Sequence, residues 1–212
     1  MLEIKNLSLD YKDGNESRNV LNNINYKFDS KKFYAILGPS GSGKSSLIYL
    51  LSLLRNPTKG NIFIDKVDVT NNKKKDQIRY KKFGFIFQQN FLISHLSVLE
   101  NVCVANYNSK AIEKEAIKIL TELGLEEHIN KAPYQLSGGQ KQRVSIARAL
   151  VKKPEYIFAD EPTASLDHDN AVKVMNLLEH YSTQSTIICA THDLSVLPTN
   201  CVKLNLNNGK IS

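Results

Sequence analysis

The stretch FYAILGPSGSGKSSLIYLL, residues 33–51, constrains the fold more than any other part of the chain. A short apolar run rich in strand formers leads into Gly38-Pro39-Ser40-Gly41-Ser42-Gly43-Lys44-Ser45, and a helical pattern follows. This is GxxxxGK[ST] between a predicted strand and a predicted helix, the context the pattern requires. Glycines let the backbone turn tightly and aim its N–H groups inward, where they can bind phosphate oxygens. The following helix adds its positive N-terminal end. Lys44 is placed to reach terminal phosphates, and the Ser45 hydroxyl to ligate Mg²⁺, a small hard cation that prefers oxygen. The bland alternative, a flexible glycine loop ahead of a buried helix, is set aside by spacing and context.

The rest of the chain fits a parallel sheet around that loop. FGFIF (83–87), YIFAD (156–160) and TIICAT (186–191) read as buried strands alternating with helical patterns, which predicts an α/β fold. The first thirty residues differ. LEIKNLSLDY and VLNNINYKF alternate apolar and polar residues, as half-buried antiparallel strands do. Between Gln89 and Pro154 the strand signals vanish, and Ile112, Ala116, Ile119, Leu120 and Leu123 form one apolar helical face closed by Gly124. A mixed core interrupted by a helical insert is expected.

Composition limits the classes. With 212 residues, 42% apolar and 23% charged, the chain can build a packed core. The excess of 28 − 21 = 7 positive charges is scattered over pairs such as Lys31-Lys32, Lys81-Lys82 and Lys152-Lys153. Scattered pairs suit a solvated surface, with anionic lipid or nucleic acid as the alternative contact. Cys103, Cys189 and Cys201 lie far apart and form no CxxC, so they read as reduced thiols, not a disulfide frame or zinc site. The start of the chain shows no signal-peptide pattern. The longest apolar run, Leu47 to Leu54, is too short for a bilayer span. A soluble chain is expected.

A second acidic element separates the phosphate-loop classes. YIFAD ends in Asp160, and Glu161 follows. An aspartate at the end of a buried strand can hold Mg²⁺ through water beside a phosphate loop. Its glutamate neighbour can polarise an attacking water as general base. LSGGQKQR, residues 136–143, then puts two glycines and a serine at the start of a helix. Backbone N–H groups, the Ser137 hydroxyl and the helix N-terminus make a second anion cradle there.

Together GPSGSGKSS, LSGGQKQR, ADEPTASLD and ATHD resemble the nucleotide-binding domain of ATP-binding cassette (ABC) transporters, in order and spacing, over essentially the whole chain. The resemblance implies an ATPase with a RecA-like phosphate-loop core, an N-terminal antiparallel β subdomain and an inserted α-helical subdomain. It divides one domain, 1–212, into a core of 1–88 and 155–212 and a helical part of 89–154. ATP and Mg²⁺ are the implied cofactors. Gly38 to Ser46 form the implied nucleotide cradle, with Ser46 standing where many relatives have threonine.

Further positions follow from the resemblance one at a time. Tyr11 lies where an aromatic residue stacks on adenine, with Tyr26 and Tyr34 as alternatives. Gln88 matches a glutamine that contacts Mg²⁺ or the attacking water and joins core to insert; Gln89 is the alternative. Metal ligation falls on Ser45, Gln88 and Asp160; catalysis falls on Lys44, Gln88, Glu161 and His192, the last being the histidine of ATHD. Ser137, Gly138, Gly139 and Gln140 would bind the γ-phosphate held by a partner protomer, and Asp167 in ASLD would cross to that partner. The implied assembly is a head-to-tail homodimer around two ATP, docked on a separate transmembrane permease at the inner face of the membrane, with no specific nucleic acid. The wording of FGFIFQQNFLISHLSVLENV and EPTASLD resembles the lipoprotein-release, macrolide-export and peptide-resistance subclass. An importer ATPase and a non-transport ABC ATPase of DNA repair or translation are the alternatives.

Overall fold

The computed structural model describes residues 1–14, 16–106 and 110–211. In chain order the elements are β1 (Leu2–Asp13), β2 (Glu16–Phe28), β3 (Phe33–Leu37), α1 (Lys44–Leu51), β4 (Lys59–Ile64), β5 (Val67–Asp68), α2 (Lys75–Lys82) and β6 (Phe83–Ile86). Then follow α3 (Val98–Cys103), α4 (Lys110–Glu122), α5 (Gly138–Leu150), β7 (Tyr156–Asp160), α6 (His168–Tyr181), β8 (Thr186–Ala190), β9 (Val202–Asn207) and β10 (Lys210–Ile211). No strand occurs between β6 and β7 among the described residues.

Two sheets result. A six-stranded sheet has the order β10-β9-β3-β8-β7-β6, parallel except for β10. A four-stranded antiparallel sheet has the order β2-β1-β4-β5. Every residue of β3, β7 and β8 is buried. That is why these segments read as unbroken apolar runs: a parallel sheet is covered on both faces.

The pleat sorts their side chains into two cores. Phe33, Ala35, Ile157, Ala159, Ile187 and Cys189 face the cluster shared with α3 to α6. Tyr34, Ile36, Tyr156, Phe158 and Ile188 face the cluster shared with α1 and the antiparallel sheet. The parallel sheet is therefore the middle layer of three. Strand β1 keeps its apolar side inward despite an irregular register. Asn6 sits at φ 50, the pairing shifts between Ile4 and Leu7, and Leu7 and Leu9 return to the core.

Two expected strands are one residue shorter than read: pairing stops at Ile86 and Ala190, leaving Phe87 and Thr191 in the loops that follow. The helical face of Ile112, Ala116, Ile119, Leu120 and Leu123 is buried as expected, and Gly124 follows at φ 65.

Helix α5 ties the helical segment to the sheet. It packs on β6, where a methyl group added at Gly84 would lie 2.5 Å from the Ala149 carbonyl oxygen and 2.9 Å from Pro154. The helix backbone sits where a side chain would go. Gly84→Ala should therefore lower stability by about 1–3 kcal/mol. For a chain of this size that is a fall of roughly 2–12 °C in melting temperature, read by calorimetry. An unchanged transition would mean that α5 does not press on β6.

Candidate active site

The C-terminal ends of β3, β6, β7 and β8 all open on one cavity of about 1000 Å³. This is where parallel α/β sheets place ligands. The phosphate loop forms its floor through Gly38, Pro39, Ser40, Gly41, Gly43, Lys44, Ser45 and Ser46. Tyr11 stands on one side, with Gln88, Glu161 and His192 on the other. Ser42 belongs instead to a neighbouring cavity of about 460 Å³. Gln89 is exposed and does not line the main cavity, whereas Gln88 does.

Ser17, Arg18 and Val20 also line the cavity and were not anticipated. They come from β2, where Arg18 pairs directly with Tyr11 across the antiparallel ladder. The signal was the ladder register, which single strands do not declare.

Ser45 and Asp160 meet although far apart in the chain: Ser45 Oγ donates to Asp160 Oδ1 at 2.9 Å. Asp160 is only 4% exposed. Its burial pushes the carboxyl above the usual carboxylate range, the Glu161 charge adds to this, and the Ser45 hydrogen bond opposes it. Lys44 is buried, and its ammonium donates to the Gly38 and Pro39 carbonyls at 2.9 and 3.1 Å. The charge is thus held over the loop it serves.

The hydroxyl–carboxylate pair is an all-oxygen donor set, which suits a hard divalent cation. Among the described residues no three His, Cys, Asp or Glu side chains gather into a cage. A cation here would keep water and phosphate oxygens in its shell, as Mg²⁺ does by preference.

Glu161 sits at φ 48, a left-handed conformation that is uncommon for residues other than glycine. Its N–H donates to the Ala190 carbonyl at 2.9 Å, which pins the turn to the end of β8. The side chain is then directed at His192, whose Nδ1 lies 2.9 Å from Glu161 Oε1. With the carboxylate ionised, the imidazole proton sits on Nδ1 and is donated to it.

Tyr11 is fixed at both ends. Its hydroxyl lies 3.1 Å from Ser46 Oγ, and the Arg55 guanidinium rests 4.0 Å from the ring centroid. Tyr34 is buried, and its hydroxyl accepts from Asp29 N; Tyr26 packs edge-on against Phe28. Neither alternative tyrosine lines the cavity.

Ser137 caps α5 in a reciprocal box. Its Oγ accepts from Gln140 N at 3.2 Å, and Gln140 Oε1 accepts from Ser137 N at 2.8 Å. The two glycines differ. A methyl at Gly138 would meet nothing within 4 Å, whereas at Gly139 it would crowd Leu166 and the Ser165 carbonyl at 3.2 and 3.3 Å. Asp167 caps α6 by accepting from Asn170 N at 3.0 Å. Ser137, Gly138 and Asp167 are exposed, and none of Ser137 to Gln140 nor Asp167 lines the chain's own cavity.

Residues 21–164 match the family described as ABC transporter. The chain belongs to the ABC transporter family. It is an ATP-binding, ATP-hydrolysing cassette of that family. The lipoprotein-releasing system ATP-binding protein LolD of Wigglesworthia glossinidia brevipalpis is 37% identical over 100% of this chain and 96% of its own length. The macrolide export ATP-binding/permease protein MacB of Chlorobium phaeobacteroides is 38% identical over 100% of this chain and 33% of its own length. Among solved structures the dimeric ABC transporter cassette MJ0796 superposes with a TM-score of 0.93 at 37% identity, covering 100% of this chain and 97% of that one. The same cassette has been solved in a post-hydrolysis state bound to ADP and Pi.

In this ABC ATPase the buried Asp160 opposes stability. A carboxyl whose folded pKa is raised binds protons more tightly folded than unfolded, so its contribution is most favourable at low pH and declines as pH rises through its titration. Asn at this position keeps an acceptor for Ser45 and has no charge to desolvate. Asp160→Asn should therefore melt at a higher temperature at neutral pH and lose less stability on going from acid to neutral. ATP hydrolysis should fall about 10–100-fold or more. A lowered melting temperature would contradict the burial argument; retained hydrolysis would remove Asp160 from the chemistry.

Proposed function

We propose that this cassette works as an ATP-closed homodimer in which each nucleotide site is built from two protomers, and that it drives a separate membrane permease. One observation carries the shared-site reading: the exposed start of α5 and the Asp167 loop do not line the cavity that gathers the other motif residues. A helix N-terminus with open backbone N–H groups suits a phosphate. Here it has none of its own chain to serve. The solved likeness to a dimeric cassette supports the same arrangement.

The geometry supports the following roles. The loop N–H groups and Lys44 hold the β and γ phosphates, and Tyr11, braced by Arg55, presents its ring to the base. Ser45, Asp160 and Gln88 are the residues that would hold Mg²⁺. When bound, that ion supplies charge neutralisation on the phosphate oxygens. Glu161 accepts the proton of the attacking water. His192 orients Glu161 through Nδ1, which leaves its other nitrogen to contact the γ-phosphate. The partner's signature start closes on that phosphate, and contacts made only in the closed state give ATP its hold on the conformation.

Motion leaves through residues 89–154, the helical part between the core segments 1–88 and 155–212. Arg148 on α5 donates to the carbonyls of Asn90 and Phe91 at 2.7 and 2.8 Å, so the segment after Gln88 moves with that helix. Among the described residues no helix is long and apolar enough to cross a membrane. In this reading the permease holds the cassette at the cytoplasmic face of the membrane, and membership of the ABC transporter family supports that location. Likeness to LolD and MacB supports export or extraction of a lipophilic or peptide substrate.

Glu161→Gln keeps the side-chain shape and removes the base, so the chain should be dimeric in ATP and monomeric in ADP by size-exclusion chromatography with light scattering. Adding Ser137→Arg puts a bulky cation where the partner's phosphate must sit. The double variant should stay monomeric in both nucleotides while still binding ATP. Equal dimerisation of the two variants would end the shared-site reading.

A further inference from the structure

The capping box at the start of α5 has a second tier outside the helix. Gln140 Oε1 accepts from Ser137 N, and Gln140 Nε2 lies 2.8 Å from His128 Nε2. A backbone N–H can only donate, so the carboxamide must turn its oxygen to Ser137 and its NH₂ to the imidazole. The ring nitrogen facing that NH₂ must then offer a lone pair, which places the imidazole proton on Nδ1. Nδ1 is buried and has no hydrogen-bond partner. A buried donor left unpaired is unfavourable, so this ring setting is maintained at a cost in stability.

His128 comes from a different element. It ends the 3₁₀ turn Glu126–His128, its N–H donates to the Leu125 carbonyl at 2.9 Å, and Leu125 is fully buried. The acceptor is thus anchored in the core between α4 and α5, not on the helix whose first turn it steadies.

We propose that His128 is a positioning residue for the signature cradle. As an acceptor it fixes the Gln140 carboxamide, and that carboxamide fixes Ser137. Ser137 Oγ already accepts from Gln140 N, so its hydroxyl proton is left to donate. The N–H groups of Gly138 and Gly139, in the first turn of α5, have no intrahelical acceptor. Three donors are therefore held outward together, toward the phosphate of a partner's nucleotide. A side chain at 128 that only donates would draw the carboxamide oxygen to itself and face NH₂ against the Ser137 N–H, and the box would open. The inference rests on the shared-site reading above.

The test uses the full chain carrying Glu161→Gln and measures the ATP concentration for half-maximal dimerisation by light scattering. His128→Ala removes the acceptor, His128→Lys replaces it with a donor, and His128→Gln offers a carbonyl oxygen near the same place. The Ala and Lys variants should need about three- to tenfold more ATP to dimerise, the range for one lost hydrogen bond. His128→Gln should recover most of that loss. Binding of a fluorescent ATP analogue to single protomers, measured with Ser137→Arg present, should not move. Equal loss in all three variants would reduce His128 to packing and overturn the proposal, as would an Ala variant that dimerises like its parent. Should the Ala variant fail to fold, the Lys–Gln comparison decides. If the Glu161→Gln parent itself never dimerises in ATP, the shared-site reading falls, and the role of His128 falls with it.

Discussion

The hydrogen bond from Ser45 to Asp160 is the join on which the site depends. It links the phosphate loop after β3 to the end of β7, and it forms because both strands border β8. Ile36 pairs with Ala190, and Ala190 pairs with Asp160, so the three residues form one row across the sheet. The loops that leave that row start at one level. Thr191 N donates to the Ile36 carbonyl, and Glu161 N donates to the Ala190 carbonyl, which extends the row one step past the regular pairing. Slipping any of these strands by a residue would turn its apolar set to the wrong core and carry a site residue out of reach.

The same geometry accepts several unfavourable features. Asp160 is an ionisable group in a nearly closed place, Glu161 has a strained backbone, and Ser42 Oγ is buried beside the loop without a hydrogen-bond partner. None of these serves folding. All three lie within or next to the phosphate loop and the acidic strand end, so the site gives up stability to its chemistry.

The buried strands were legible because burial on both faces leaves a continuous apolar signature, and the phosphate loop was legible because its spacing is fixed by backbone geometry. Strands β4, β9 and β10 were not. VKLNLN does alternate apolar and polar residues, with Leu204 and Leu206 buried, but it is short and its asparagines are poor strand formers, which weakens the signal. Ser17, Arg18 and Arg55 were missed for a related reason: they reach Tyr11 or the cavity through pairing across strands or a turn after α1, not through a local motif. The glycine pair at 138 and 139 was visible, but its division of labour was not. One glycine leaves open surface, and the other admits the backbone at Ser165.

The strand order also sets a schedule. Strand β3 lies between β8 and β9, with Phe33 paired to Ile187 and Tyr34 to Val202. At a translation rate of roughly 5–20 residues per second, the partners of β3 leave the ribosome about eight to thirty seconds after it does. Through that interval the apolar strand carrying the phosphate loop has neither of its neighbours, and the nascent chain must hold FYAIL apart from other exposed strands. Contacts this distant along the chain also slow the closure of the sheet. A ribosome stalled before β8 would release a chain with its best-known motif complete and no site to put it in.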